Sequence, residues 1–257
     1  MFDTILDEHV TALRAAGRSP RTIEAREQVI RQLGRTAGDP CRLTTRDLQV
    51  WLATPGWSAW TLATYQMHVR GFYGWLAAAG HRADDPTAAL LRTRTPQDTP
   101  KPVTDAELAH ALAVGREPWL TAVLLAAYAG LRCGDIAALT RADVTERTIT
   151  IRRGKGGKDA VLPCHPKIWE AVAERGPGPL VPVGRRYLSN RAAAYFTSIG
   201  LPGVHMHRFR HYYATALLRR GVNIRVVQRL MRHSSLATTA KYLAVDDAEA
   251  FAAVNEL

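Results

Sequence analysis

Between His81 and Val103 the chain loses its helical periodicity. Pro86, Pro96, Pro100 and Pro102 stand among Asp, Thr and Arg, with no sustained apolar repeat. Proline removes a backbone donor and pushes the residue before it out of the helical region, so this span resists forming a helix. Amphipathic patterns run on both sides of it. The chain is therefore expected to fold as two bodies: a helical domain over residues 1–80, an extended linker over 81–103 that tolerates motion, and a second domain over 104–257. The length of 257 residues suits one large domain or two small ones.

The first body reads as a small helical bundle. Phe2, Ile5, Leu6, Val10 and Leu13 recur at helical spacing, and Gly17 closes that segment. Ser19-Pro20 is an N-cap followed by proline at the first helical position, opening a helix toward Leu33. Thr44 or Thr45 starts a third helix with Leu48, Val50, Trp51 and Leu52. Ser58 starts a fourth, with Leu62, Tyr65, Val69, Phe72, Tyr73 and Leu76 for its buried face.

Thr104 caps the first helix of the second body. Its one clear exception to helix is Thr148-Ile149-Thr150-Ile151, which alternates like a strand and is followed by Ala160-Val161-Leu162. Gly154, Lys155, Gly156, Gly157 and Lys158 form the turn of this β-hairpin. Helices follow over roughly Ser189–Ile199, His205–Arg220 and Ile224–Met231, and through the C-terminal tail. The fold class is mainly α with a small β-hairpin, in two domains.

With 47% hydrophobic residues the chain can bury a core. Its formal net charge is +11 and its pI about 10.1, which favours a polyanionic partner, most commonly nucleic acid. Only Lys101, Lys155, Lys158, Lys167 and Lys241 are lysines; the remaining basic residues are arginines. Arginine's planar fork suits phosphate, although a GC-rich genome produces the same bias. Cys41, Cys133 and Cys164 are odd in number and far apart, and read as free thiols in a reducing compartment. Asp3, Asp7 and Glu8 interrupt any signal-peptide pattern, and the apolar run Leu120–Leu131 is too short to span a bilayer. A cytoplasmic location without membrane contact is expected, nucleoid-associated when the protein is on DNA.

Pro202-Gly203 precedes His205-Met206-His207-Arg208-Phe209-Arg210-His211, so these residues open a helix. His207, Arg210 and His211 stand at i, i+3 and i+4 on one face. A helix N-terminus carrying an arginine and two imidazoles favours a bound phosphate. The same two histidines have zinc-helix spacing, but Arg208 stands where a zinc hydrolase carries its glutamate, and neighbouring cations would repel a metal. A P-loop over Arg152–Asp159 fails because no Ser or Thr follows the lysine.

Ala129-Gly130-Leu131-Arg132-Cys133-Gly134-Asp135 places an arginine between two apolar stretches, with an acid three residues on. Downstream, Met231-Arg232-His233-Ser234-Ser235 leads to Thr238-Thr239-Ala240-Lys241-Tyr242. In this order the chain resembles the tyrosine recombinases, the family of phage integrases and Xer-type recombinases. Their motifs are an arginine box, a glycine-rich lysine hairpin, an HxxRH box and a GH-x-TTxxY tail. Tyr242 falls nine residues after His233, as that tail expects. Three departures stand out: Asp135 where Glu is commoner, Phe209 for Leu, and Arg232 for the Gly before His233. The last would need a backbone conformation open to a side chain.

The resemblance covers the whole chain and implies a SAM-like core-binding domain followed by a catalytic domain. It implies Tyr242 as nucleophile, Arg132, Arg210 and His233 as phosphate donors, His207 as donor and proton acceptor, and Lys155, ahead of Lys158, as the acid for the leaving oxygen. Two arginines beside Tyr242 would favour its phenolate. Asp135 and His211 would orient the arginine or a neighbouring imidazole, although Asp135 reads nearly as well as a helix cap. Arg21, Arg26, Arg70, Arg152, Arg153, Lys158 and Arg191 are candidate DNA contacts. No metal or cofactor is implied. The implied partner is duplex DNA bearing a specific recombination site, bound by a homotetramer on two duplexes. The protein off DNA would be a monomer or dimer, and an accessory directionality factor is compatible. The apolar tail after Tyr242 suits docking on its own domain or on a neighbour. A phage or mobile-element integrase is the leading reading, a Xer-type chromosome resolvase the alternative. A non-catalytic DNA-binding regulator and a metal-dependent nuclease are the competing classes.

Overall fold

A computed structural model of the chain describes residues 2–96, 99–152 and 159–242. It divides into two compact units, Met1–Asp98 and Thr99–Leu257. The fold is mainly helical with one two-stranded antiparallel sheet among the described residues.

The first unit holds α1 (Phe2–Ala15), α2 (Pro20–Ala37), α3 (Thr45–Leu52) and α4 (Ala59–Ala78). Each start after α1 is chemically marked. Ser19 Oγ accepts the Thr22 N–H, Thr44 and Asp47 form a reciprocal capping box, and Ser58 Oγ accepts the Thr61 N–H. Leu6, Ile30, Leu33, Leu48, Trp51, Val69, Phe72, Tyr73 and Leu76 meet in one core. Val50 points to solvent instead, two residues from Leu48 and off the buried stripe.

The segment read as a linker is held at many points. Leu90 joins the first unit's core. Gln66 Oε1 accepts the Thr93 N–H at 3.0 Å and its amide donates to Leu91 O at 2.6 Å. Arg82 donates to Cys41 O and Leu43 O at 2.9 and 3.0 Å. In the second unit, Arg208 donates to Lys101 O and Pro102 O, both at 3.1 Å, and Val103 is buried. Side chains from the helices here take up carbonyls that no helix satisfies, and an apolar-periodicity reading is blind to that.

The second unit is built around α6 (Trp119–Ala129), apolar on every face and buried along nearly its whole length. α5 (Asp105–Val114), α7 (Cys133–Ala138), α8 (Pro166–Val172) and α10 (Met206–Arg219) pack on it. β1 (Thr148–Ile151) pairs antiparallel with β2 (Ala160–Pro163) in a register of Thr148 with Pro163 and Ile151 with Ala160. α9 (Arg185–Ser198) starts earlier than its apolar pattern suggests, after Gly184. α11 (Ile224–Leu230) and α12 (Leu236–Ala240) complete the described residues, among which no helix is long and apolar enough to cross a membrane.

Candidate active site

The turn after α6 sets the site. Gly130 adopts φ +63 and caps the helix in the left-handed region. A Cβ there would lie 2.6 Å from Tyr213 Cδ1 and 3.1 Å from Met231 Sδ, so only glycine lets α6, α10 and the turn after α11 approach this closely. Arg210, on α10, fills the junction. It is 2% exposed and donates to Gly130 O and, at 2.6 Å, to Met231 O. Its Nη2 also lies 3.1 Å from His233 Nε2. A guanidinium cannot accept, so His233 Nε2 accepts, and the Nδ1 proton faces Thr239 Oγ1 at 2.9 Å. The expected direct donation by His233 to an anion is therefore not the geometry observed: its Nε2 is engaged by Arg210.

Arg132 caps the start of α7. Its N–H donates to Asp135 Oδ2 at 3.0 Å and its Nη2 to Arg232 O at 3.4 Å. Arg210 and Arg132 thus hold successive carbonyls of one turn, those of Met231 and Arg232, which brings the two guanidinium groups together. Burial first, and then the Arg132 charge, lower the Arg210 pKa to about 9, leaving it a cation at neutral pH. Arg132 Nη1 is buried with no acceptor among the described residues.

Tyr242 closes the arrangement. Its hydroxyl lies 2.7 Å from His211 Nδ1, and its ring is nearly parallel to that of His233 with centroids 6.3 Å apart. Burial first, then His207 and Arg210, bring the His211 pKa down to about 3, so His211 is neutral, and its tautomer with the proton on Nε2 accepts the phenolic hydrogen at Nδ1. The acceptor expected from the motif was His207. Both imidazoles lie on one face of α10 with centroids 4.6 Å apart, but tertiary packing delivers Tyr242 to the second. His207 reaches the surface, yet its crowded ring carries a pKa of about 4, lowered by desolvation and then by Arg210. A second expectation also changes sign. Burial raises the Tyr242 pKa, and the opposing charges of Arg210 and Arg132 offset this only in part. The phenol form is the resting one.

A search of protein families matches residues 182–249 to the phage integrase family. The chain is 33% identical over 275 aligned positions to the tyrosine recombinase XerC of Mesorhizobium japonicum, covering 90% of this chain and 86% of that one. The chain belongs to the tyrosine recombinases. It is similar as well to the integrase of mycobacterium phage Brujita, with 32% identity over 96% of this chain and 89% of that one at a TM-score of 0.50. The fold matches that of a lambda integrase dimer bound to a core site, with a TM-score of 0.77, 17% identity, and 93% and 94% of the two chains covered. This recombinase is thus a tyrosine site-specific recombinase with the family's helical architecture.

The recombinase gathers Arg132, His207, Arg210, His233 and Tyr242, with Asp135 and His211, around one turn. Lys155, Lys158 and Arg153 lie outside the described residues. Arg21 and Arg191 are exposed. Arg152 is exposed and paired with Asp143 at 2.7 Å. Arg70 is half-buried and its guanidinium donates to Leu90 O, and Arg26 is half-buried with its guanidinium against Gly71. Tyr212 donates to Asp105 Oδ1 at 2.7 Å and Tyr213 packs on Gly130, leaving Tyr242 as the tyrosine at the paired arginines. No group of three or more metal-donor side chains occurs among the described residues.

The residue whose partner motif reading could not supply is Arg232. It adopts φ +51, the left-handed conformation that a side chain disfavours by about 1–2 kcal/mol. Arg232 keeps the glycine-type turn rather than escaping it, and its guanidinium pairs with Asp135. The glycine departure was the available signal.

The depressed histidines make stability pH-dependent. His9, buried between Phe72 and Trp75, has a pKa of about 4, lowered by burial and then by Arg26. His9, His207 and His211 each bind a proton in the unfolded chain below about 6.5 but in the fold only near 4 or below. Between those limits the unfolded state holds more protons, so stability is fully present above the window and is lost as pH falls through it. Thermal melting is expected to drop steadily from pH 7 to pH 4.5. A flat profile would contradict the burial of these rings.

Proposed function

We propose that this recombinase cuts and rejoins duplex DNA through a covalent bond between Tyr242 and a backbone phosphate. Tyr242 oxygen attacks phosphorus while its proton passes to His211, and a 3′-phosphotyrosyl bond forms as the 5′ oxygen leaves. Lys155 protonates that oxygen. Attack spreads charge over the non-bridging oxygens. Among the described residues, the Gly130, Met231 and His233 contacts use three of the five N–H donors of Arg210, leaving two, and Arg132 Nη1 has no acceptor. Donors aimed at developing charge are worth about 3 kcal/mol each. The covalent bond conserves the energy of the phosphodiester, so a 5′ hydroxyl from a second duplex can displace the tyrosine without ATP.

One observation carries the reading: a tyrosine hydroxyl on a neutral imidazole, beside two converging, largely buried guanidinium groups. The test is a nicked suicide substrate, from which the cleaved strand diffuses away, incubated in chelator and resolved on a denaturing gel. A protein–DNA adduct on the 3′ side is expected. None from a well-bound cognate site would favour a DNA-binding regulator.

A phage or mobile-element integrase acting as a homotetramer on two duplexes is the role proposed, supported by the 32% identity to a phage integrase over nearly the whole chain. The 33% identity to a XerC protein supports chromosome resolution as a second reading. Recombination between an element's attachment site and a bacterial site separates these from resolution of two identical chromosomal sites.

A further inference from the structure

Arg232 lies at the centre of the site, where the family tail carries glycine. Three hydrogen bonds close a ring through it. Its Nη2 donates to Asp135 Oδ2, and the same carboxylate oxygen accepts the Arg132 backbone N–H at 3.0 Å. Arg132 Nη2 then donates to the Arg232 carbonyl oxygen at 3.4 Å. The ring clasps the start of α7 to the turn at Met231–His233.

A glycine would adopt the same turn without strain, but it would leave Asp135 holding only the Arg132 N–H. Strained backbone of this kind persists where the surroundings hold it in place, and it concentrates at functional sites. Among the described residues the Arg132 guanidinium has no other hydrogen bond than the one to Arg232 O, so the clasp alone fixes its direction. One buried donor of the Arg132 guanidinium, Nη1, finds no acceptor among the described residues. Buried donors are normally paired, and an unpaired one on a guanidinium held in this way fits an oxyanion.

We propose that Arg232 is a positioning residue for strand cleavage. Through Asp135 it locks the loop that bears Arg132, so that the free Nη1 stays aimed at the scissile phosphate. The proposal rests on the reading of Arg132 as a phosphate ligand. Its reach is specific: Arg232 acts on the chemical step through Arg132 and contributes little to holding DNA.

The experiment measures single-turnover adduct formation on a suicide substrate at saturating DNA, with DNA affinity and melting temperature measured in parallel. The proteins are wild type, Arg232→Gly, Arg232→Lys, Asp135→Asn and the double variant Arg232→Gly/Asp135→Asn. Arg232→Gly is expected to slow adduct formation by about tenfold or more, since an ångström of misplacement costs up to about a hundredfold. DNA affinity should change by less than about threefold, far below the loss in rate. Arg232→Lys should recover part of the rate, because an ammonium can still reach Asp135. The double variant should be no slower than the slower single one, because both changes open the same ring. A folded Arg232→Gly protein at the wild-type rate overturns the proposal, as do losses that multiply in the double variant. Should Arg232→Gly fail to fold, Asp135→Asn at the wild-type rate overturns it equally. Wild type that binds its site but forms no adduct would instead sink the underlying reading of the phosphate site.

Discussion

With Tyr242 replaced by phenylalanine, the recombinase is expected to bind its DNA site as before and to leave no protein attached to the strand. The phenyl ring keeps the parallel approach to His233 and the packing beside Val227 and Met231, so the fold around it is preserved. What disappears is one oxygen, 2.7 Å from His211 Nδ1. The loss of that hydrogen bond costs about 1 kcal/mol of stability, small against the effect on rate. The two tyrosines on α10 cannot substitute: Tyr212 is engaged with Asp105, and Tyr213 is wedged against Gly130. Water lacks the tyrosine's fixed position. Adduct formation should fall by a factor on the order of ten thousand or more, to background on a denaturing gel. A covalent complex from the Tyr242→Phe protein would mean that the nucleophile is elsewhere.

Much of the fold could be read before any coordinates because the signals were local. Ser19-Pro20, Thr44 with Asp47, Ser58, and Thr104 with Glu107 are caps whose partners lie three residues away. The alternation at Thr148–Ile151 needs only neighbouring residues to identify a strand whose inner face is buried. The arginine, histidine and tyrosine motifs carried the site in the same way, through spacing.

What escaped the sequence depends on contacts between distant segments. His207 and His211 share a helix face, and no spacing rule says which meets a tyrosine thirty-one residues downstream of His211. The sign of the Tyr242 shift needed the balance between burial and two arginines, a quantity that exists only once the core has closed. The holding of 81–103 by Gln66, Arg82 and Arg208 was hidden because polar side chains bonding to carbonyls leave no periodic trace. The same cause hid the bond from Arg70 to the Leu90 carbonyl. Arg232 was visible as an oddity, but its meaning lay in Asp135, 97 residues away.

Replacing Arg210 with lysine keeps a cation and should still damage both catalysis and stability. Arg210 bridges three segments: it reaches Gly130 O with one terminal nitrogen, and Met231 O and His233 Nε2 with the other. Lysine places all its donors on a single nitrogen and cannot span the Gly130 and Met231 carbonyls from one point. A buried acceptor left unpaired costs about 1–3 kcal/mol, which is the expected loss of stability and is readable as a lower melting temperature. Adduct formation should fall by about a hundredfold or more as the phosphate donors are lost. The variant should also gain a pH dependence that wild type lacks. Burial and Arg132 bring the arginine only to about 9, whereas the same surroundings would lower a lysine from a smaller starting value and so bring it closer to neutrality. Its residual activity should therefore decline as pH rises above neutrality, as the ammonium gives up its proton. A rate within about threefold of wild type would show that position 210 serves as a point charge and not as a fork.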